Sequence, residues 1–154
     1  DDAQRRVTDG FVRPMKVLCL TGTWCGDCAL QGAAMQRVAD SRPDLVDLRF
    51  LLRCDEHADL IVRCQINAGF RVPVTWLMAD DFHPCTRIGD RTLSRYRSMA
   101  RKALGERSVM APPPENPVRA VLGEILDEFE RVQLMLRLSP RLQARVGDAV
   151  RVPS

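Results

Sequence analysis

A chain of 154 residues, 45% hydrophobic and 28% charged, can bury a proper core and falls outside the disordered class, which combines low apolar content with high net charge. Its formal charge of +3 is spread along the chain, and the nearest thing to a basic run, Arg95, Arg97, Arg101 and Lys102, reads as a solvated helix face. With aromatics at only 5% of the residues, no nucleic-acid partner is expected. No apolar stretch approaches the ~20 residues of a spanning helix and no signal-peptide region opens the chain, so no membrane is expected either.

Six cysteines are an even number, but a chain with a normal core needs no disulfide framework, which points to a reducing, cytoplasmic setting. The sequence opens on Asp1 rather than Met, so an upstream segment is expected.

Met15 to Leu20, "MKVLCL", is a short apolar run suited to a buried strand, and Thr21 and Gly22 turn the chain at its end. From Gly26 to about Asp40 the apolar positions Leu30, Ala34, Met35 and Val38 recur at helical spacing. Leu45 to Leu52 predicts a second strand, followed by a helix from about Glu56 to Ile66 with Asp55 as its N-cap. Val72 to Met78, "VPVTWLM", predicts a strand with Pro73 at its start; "ADDFHP" then turns into a short antiparallel partner, Cys85 to Ile88. Asp90 is placed to cap a helix from Arg91 to about Leu104.

"APPPENP", residues 111–117, is an extended spacer, since its prolines are incompatible with helix. This divides the chain into a domain at 1–105, a linker at 106–117 and a helical extension at 118–154. In the extension Asn116 is the expected N-cap and Pro117 the first helical residue, ahead of a stripe of Val118, Leu122, Ile125, Phe129, Val132 and Leu136. The stripe is too short to argue a coiled coil, so packing on its own domain is favoured over a homodimer through this helix. A short terminal helix is expected after Pro140.

Cys25 and Cys28 follow the first strand and open the first long helix. Residues three apart on a helical turn lie ~5–6 Å apart at Cβ, near the separation that a disulfide needs. The positive end of the helix stabilises an anion, making Cys25 the expected attacking thiolate and Cys28, one turn deeper, the resolving thiol. Two other readings stand beside this one. "CDEH" puts Cys54 and His57 at the spacing of a second half-site, so that Cys25, Cys28, Cys54 and His57 could form a zinc cage. Alternatively, the pair is inert.

"TWCGDC" together with the later "RVPVTWL" resembles the thioredoxin superfamily, whose active site is a Trp-Cys-Gly-x-Cys at a strand-to-helix turn facing a cis proline. The resemblance covers about Met15 to Leu104. It implies an α/β thioredoxin-like fold, a central mixed sheet flanked by helices, here with a C-terminal helical extension. It also implies that Trp24 is the active-site tryptophan, Cys25 the nucleophile, Cys28 the resolving cysteine and Pro73 the cis proline. Val72 then offers backbone groups to an extended substrate, and Gly89 falls where the family has a glycine.

Two departures touch the chemistry. Asp27 stands where the family usually has proline between the cysteines, and Cys19 stands six before the nucleophile, where thioredoxins bury an aspartate. A carboxylate ~6 Å from the Cys25 thiolate repels it by ~0.7 kcal/mol in water and ~3 kcal/mol at an effective dielectric of 20. On an exposed helix turn the smaller value holds, raising the thiol by about half a pK unit and pointing towards a reductant rather than a strong oxidant. Cys19, in mid-strand, reads as a core residue that leaves proton transfer to water or to Asp27.

The expected function is reduction of protein disulfides through a Cys25 mixed disulfide resolved by Cys28, with no cofactor and with a further protein as electron donor. Cys54 is a candidate third redox thiol, while Cys64 and Cys85 read as structural. The alternative is a thioredoxin-like binding module whose cysteine pair is a relic or a zinc clip.

Overall fold

The computed structural model describes residues 1–108 and 110–146. Four strands, β1 (Met15–Thr21), β2 (Val46–Leu52), β3 (Val74–Ala79) and β4 (Pro84–Ile88), form one sheet in the order β2-β1-β3-β4. β1 and β2 are parallel, with Cys19 opposite Phe50, while β3 runs antiparallel to both β1 and β4. The helices are α1 (Asp2–Asp9), α2 (Gly26–Ser41), α3 (Ala58–Arg63), α4 (Leu93–Leu104), α5 (Pro117–Leu138) and α6 (Pro140–Val146). This is the mixed sheet flanked by helices that the resemblance implies.

Strand alternation assigns the two faces of the sheet. Met15, Val17 and Cys19 of β1, with Leu77 and Ala79 of β3, face a core closed by Met35 and Val38 of α2 and by Ile125, Phe129, Val132 and Leu136 of α5. Leu20 and Val74 face the other way, into a smaller cluster with Cys64. The apolar stripe of α5 is therefore covered within the chain. The buried face departs from the expected stripe: Val121 and Leu126 join it, whereas Val118, on the first turn, is exposed. The capping expectation holds, as Asn116 Oδ1 accepts the Arg119 N–H at 3.0 Å and Pro117 opens the helix. The expected extension to residue 154 runs past the described residues.

Gln133, buried on α5, stitches that helix to the segment between α1 and β1. Its Oε1 accepts from the N–H groups of Val12 and Arg13 at 3.1 and 3.0 Å, and its Nε2 donates to the Arg13 carbonyl at 2.7 Å.

Three local expectations are corrected. Asp55 does not cap a long helix: it opens a 3-10 turn, Asp55–His57, and α3 ends at Arg63. The chain beyond α3 makes a tight hairpin instead, with Ile66 and Gly69 exchanging two backbone hydrogen bonds around Asn67 and Ala68, both at positive φ. Asp90 is not a cap either, since α4 starts at Leu93 with Thr92 as its N-cap. Asp90 is buried and accepts from Arg71, Arg91 and Tyr96 at 3.0, 2.9 and 2.8 Å. A buried carboxylate facing two guanidiniums is worth more as a cross-link than as a cap.

Candidate active site

β1 delivers the chain to Thr21, and the turn through Gly22 starts α2 with Cys25 as its N-cap residue. In this position Cys25 takes the role usually held by a serine or aspartate: its Sγ accepts the backbone N–H of Cys28 at 3.3 Å. The Gly22 N–H in turn donates to Cys28 Sγ at 3.4 Å. Both sulfurs are reduced, with Cys25 partly exposed and Cys28 buried at 3% exposure. Burial and the neighbouring Cys25 sulfur raise the Cys28 thiol to about 11, against the smaller opposing pull of Thr21 and the Gly22 N–H.

Across from the pair, the Val72–Pro73 peptide bond is cis. The Cys25 thiol donates to the Val72 carbonyl at 3.5 Å, so the accessible sulfur and the proline loop lie against each other.

Trp24 is 63% exposed. Its ring folds back over Gly22, where a Cβ would come within 2.7 Å of the indole. The Arg53 guanidinium stands 5.2 Å from the same ring's centroid and donates to the Phe70 carbonyl. Trp24, Cys25, Cys28, Val72 and Pro73 thus gather at one end of the sheet. A Cβ on Gly89 would make only ordinary contact, 3.6 Å from Ile66.

Asp27 does not occupy the exposed position expected of it. It is buried at 9% exposure and faces α4 and the residues leading into it, where Arg91 Nε, just before the helix, and Arg95 Nε, on it, donate to its two oxygens at 3.0 and 2.8 Å. The repulsion expected from a lone solvated carboxylate does not describe this site, because two guanidiniums oppose its charge. Cys19 is fully buried in the core opposite Thr75. Burial raises its thiol, tempered by the Thr75 hydroxyl.

The four-ligand cage of Cys25, Cys28, Cys54 and His57 is not assembled. Among the described residues the one metal-capable cluster is Cys54, Glu56 and His57, whose ligand atoms lie within 4.8 Å of one another. Glu56, expected only as the start of a helix, was not a candidate ligand, although its position between Cys54 and His57 could have suggested it.

A family model described as thioredoxin matches residues 1–102. The chain belongs to the thioredoxin family. No curated protein matches the sequence. Among solved structures, this thioredoxin-family chain is similar to a protein of unknown function from Pseudomonas aeruginosa. That match has 18% identity and a TM-score of 0.62, covering 86% of this chain and 75% of the other. It is also similar to an HIV epitope-scaffold at 17% identity and a TM-score of 0.57, covering 83% and 74% of the two chains. Both likenesses concern the fold and extend past residue 102 in coverage. Among the described residues, no helix of this family member is long and apolar enough to cross a membrane.

Proposed function

We propose that this chain is a thiol–disulfide oxidoreductase that reduces disulfides in partner proteins. The observation that carries the reading is the placement of Cys25. Its sulfur sits at the mouth of α2, within reach of the Cys28 N–H and of the carbonyl that precedes a cis proline.

In this reading the Cys25 thiolate attacks one sulfur of the substrate disulfide; a Cys25–substrate disulfide forms as the substrate bond breaks, and the departing thiolate takes a proton from water. Cys28 then gives its proton to water and its thiolate attacks Cys25 Sγ, forming the Cys25–Cys28 disulfide as the mixed disulfide breaks; the second substrate sulfur leaves as a thiolate and takes a proton from water. Two electrons pass to the substrate, and an external dithiol restores the pair.

The raised Cys28 thiol suits this order of events. Two of its causes, the hydrogen bond to Cys25 and the charge of the Cys25 sulfur, disappear once that sulfur is tied up in a mixed disulfide. The resolving thiol therefore ionises more easily when it is needed. Trp24, exposed and in contact with Gly22 and Arg53, supplies an apolar platform beside the sulfur, and Val72 supplies backbone groups to an extended peptide.

The test is equilibration of the Cys25–Cys28 pair against a glutathione series, followed by thiol trapping and mass analysis. The expected result is a reversible internal disulfide with a potential nearer thioredoxin, about −270 mV, than the strong oxidants, about −120 mV. Cys25→Ser abolishes reduction of a protein disulfide, and Cys28→Ser accumulates the mixed disulfide. Failure of the pair to form a disulfide at any poise overturns the proposal.

A further inference from the structure

We propose that Cys54, Glu56 and His57 form a binding site for a zinc-class divalent cation, separate from the Cys25–Cys28 pair. The site is built by the short turn that follows β2. Cys54 precedes the 3-10 turn and His57 ends it, and the His57 N–H donates to the Cys54 carbonyl at 3.1 Å. In a 3-10 turn residues three apart are stacked above one another, so this backbone bond sets both side chains on the same side. Cys54 Sγ and His57 Nδ1 are accordingly 3.1 Å apart.

Bond lengths of ~2.3 Å to sulfur and ~2.05 Å to nitrogen at a tetrahedral centre separate those two donors by ~3.5 Å. The observed spacing needs to open by less than an ångström to admit the ion. Glu56 brings the third donor, and all three ligand atoms already fall within 4.8 Å of one another. The Leu52 carbonyl, 3.0 Å from His57 Nδ1, accepts a hydrogen bond from that nitrogen in the metal-free chain, so binding through Nδ1 requires the ring proton to sit on Nε2, and water fills the fourth position.

The donor set selects the class of cation. One thiolate, one imidazole and one carboxylate suit a borderline-soft ion such as Zn²⁺, whereas Mg²⁺ and Ca²⁺ require oxygen ligands throughout. The local charge agrees: Asp55 and Asp59 are exposed beside the cluster, while the neighbouring cation, Arg53, is turned away onto Trp24 and the Phe70 carbonyl. Binding displaces the Cys54 thiol proton to solvent as the sulfur–metal bond forms.

The experiment uses the full reduced chain. Co²⁺ serves as the spectroscopic probe, through its thiolate charge-transfer band, and Zn²⁺ is titrated in competition with a chromophoric chelator. The expected result is one ion per chain, retained unchanged in the Cys25→Ser/Cys28→Ser double variant. Because losing even an outer partner of a metal ligand costs about 10–100-fold in affinity, Cys54→Ser and His57→Gln should each weaken binding at least about tenfold. Cys54→Ser should also erase the charge-transfer band. Circular dichroism checks that each variant is folded, and Glu56→Gln gives a third, milder reading on an exposed residue. Two results overturn the proposal: binding that survives Cys54→Ser but is lost in the double variant, which assigns the ion to the redox pair, or no Zn²⁺ held against the chelator by the unmodified chain.

Discussion

Arg91 Nε donates to Asp27 Oδ2 at 3.0 Å, joining the first turn of the cysteine helix to the start of α4, 64 residues further along the chain. The same guanidinium reaches Asp90 at 2.9 Å, and Asp90 holds Arg71, one residue before Val72, at 3.0 Å. One chain of charges thus ties the cysteine helix, α4 and the proline loop together.

Removing Arg91 takes a cation from two buried carboxylates at once. Truncating one partner of a buried pair costs about 3–5 kcal/mol, but Asp27 keeps Arg95 and Asp90 keeps Arg71 and Tyr96. Arg91→Ala should therefore destabilise the fold by about 1–3 kcal/mol in urea unfolding. Combined with Asp27→Asn it should cost less than the sum of the two, since the double variant leaves no unmatched charge at that pair. Additive effects would show that the pair behaves as an ordinary surface ion pair.

Burial and the Cys25 sulfur give a prediction in pH. Below pH 9 the Cys28 thiol is protonated in both the folded and the unfolded chain. Between about 9, its ordinary value, and about 11, its folded value, the unfolded chain ionises while the folded one holds its proton. Stability therefore falls as pH rises through that window. Cys19, Cys64 and Cys85 are shifted in the same direction, so the contribution of Cys28 is read as the difference between the unmodified chain and Cys28→Ser. The same facts set an order of alkylation: at pH 8, iodoacetamide should label partly exposed Cys25 and exposed Cys54 well before buried Cys28 and Cys19. Early labelling of Cys28 would contradict its placement.

Gly22 is where the exposed indole approaches the backbone. An added Cβ would meet Trp24 at 2.7 Å, and what has to yield is a surface side chain rather than the fold. Gly22→Ala should shift the melting temperature little while displacing the ring from Arg53. If Trp24 is the platform for a protein disulfide, KM rises and kcat holds, by about two- to fivefold, because uniform binding is lost without a change at the sulfur. Tryptophan fluorescence, with Trp76 as the unchanged second emitter, reports the displacement independently.

The parts of this molecule legible in its sequence are those written in local patterns. β1 and α2 show in the alternation and helical spacing around "TWCGDC", the β3–β4 hairpin in its turn residues, and the cap of α5 in Asn116 and Pro117. The burial of Asp27 was not legible, because the guanidiniums that make it tolerable, Arg91 and Arg95, come from residues 64 and 68 positions away. Asp90 misled for a related reason: an aspartate before a helical pattern looks like a cap until tertiary partners claim both its oxygens. α1 carries little apolar periodicity, with Val7 its one large aliphatic residue. It is anchored from its C-terminal end, where Arg42 donates to the Thr8 and Phe11 carbonyls. The N-terminal half of α5 kept the expected spacing but not the whole expected face: Val118 is exposed while Val121 and Leu126 are buried, because burial along the helix depends on its packing against α4, α1 and α2.

That last contact separates an appended helix from an integral one. The family match ends at residue 102, yet Phe129, fully buried on α5, packs in the same core as Met15 and Met35. If α5 is integral, Phe129→Ala should cost about 3–5 kcal/mol, the loss seen when a large aromatic leaves a rigid core. Gln133→Leu tests the polar half of the contact. It removes the Gln133 partner of the part-buried Val12 N–H and of the buried Arg13 N–H and carbonyl, and the loss at the buried Arg13 groups should cost about 1–3 kcal/mol. A chain cut after residue 116 should lose its single cooperative unfolding transition and bind a hydrophobic dye, because Phe11, Val38 and Leu77 would be left on an open face. Cooperative unfolding of the shortened chain, with its cysteine pair still cycling, would instead make α5 an accessory to a domain complete without it.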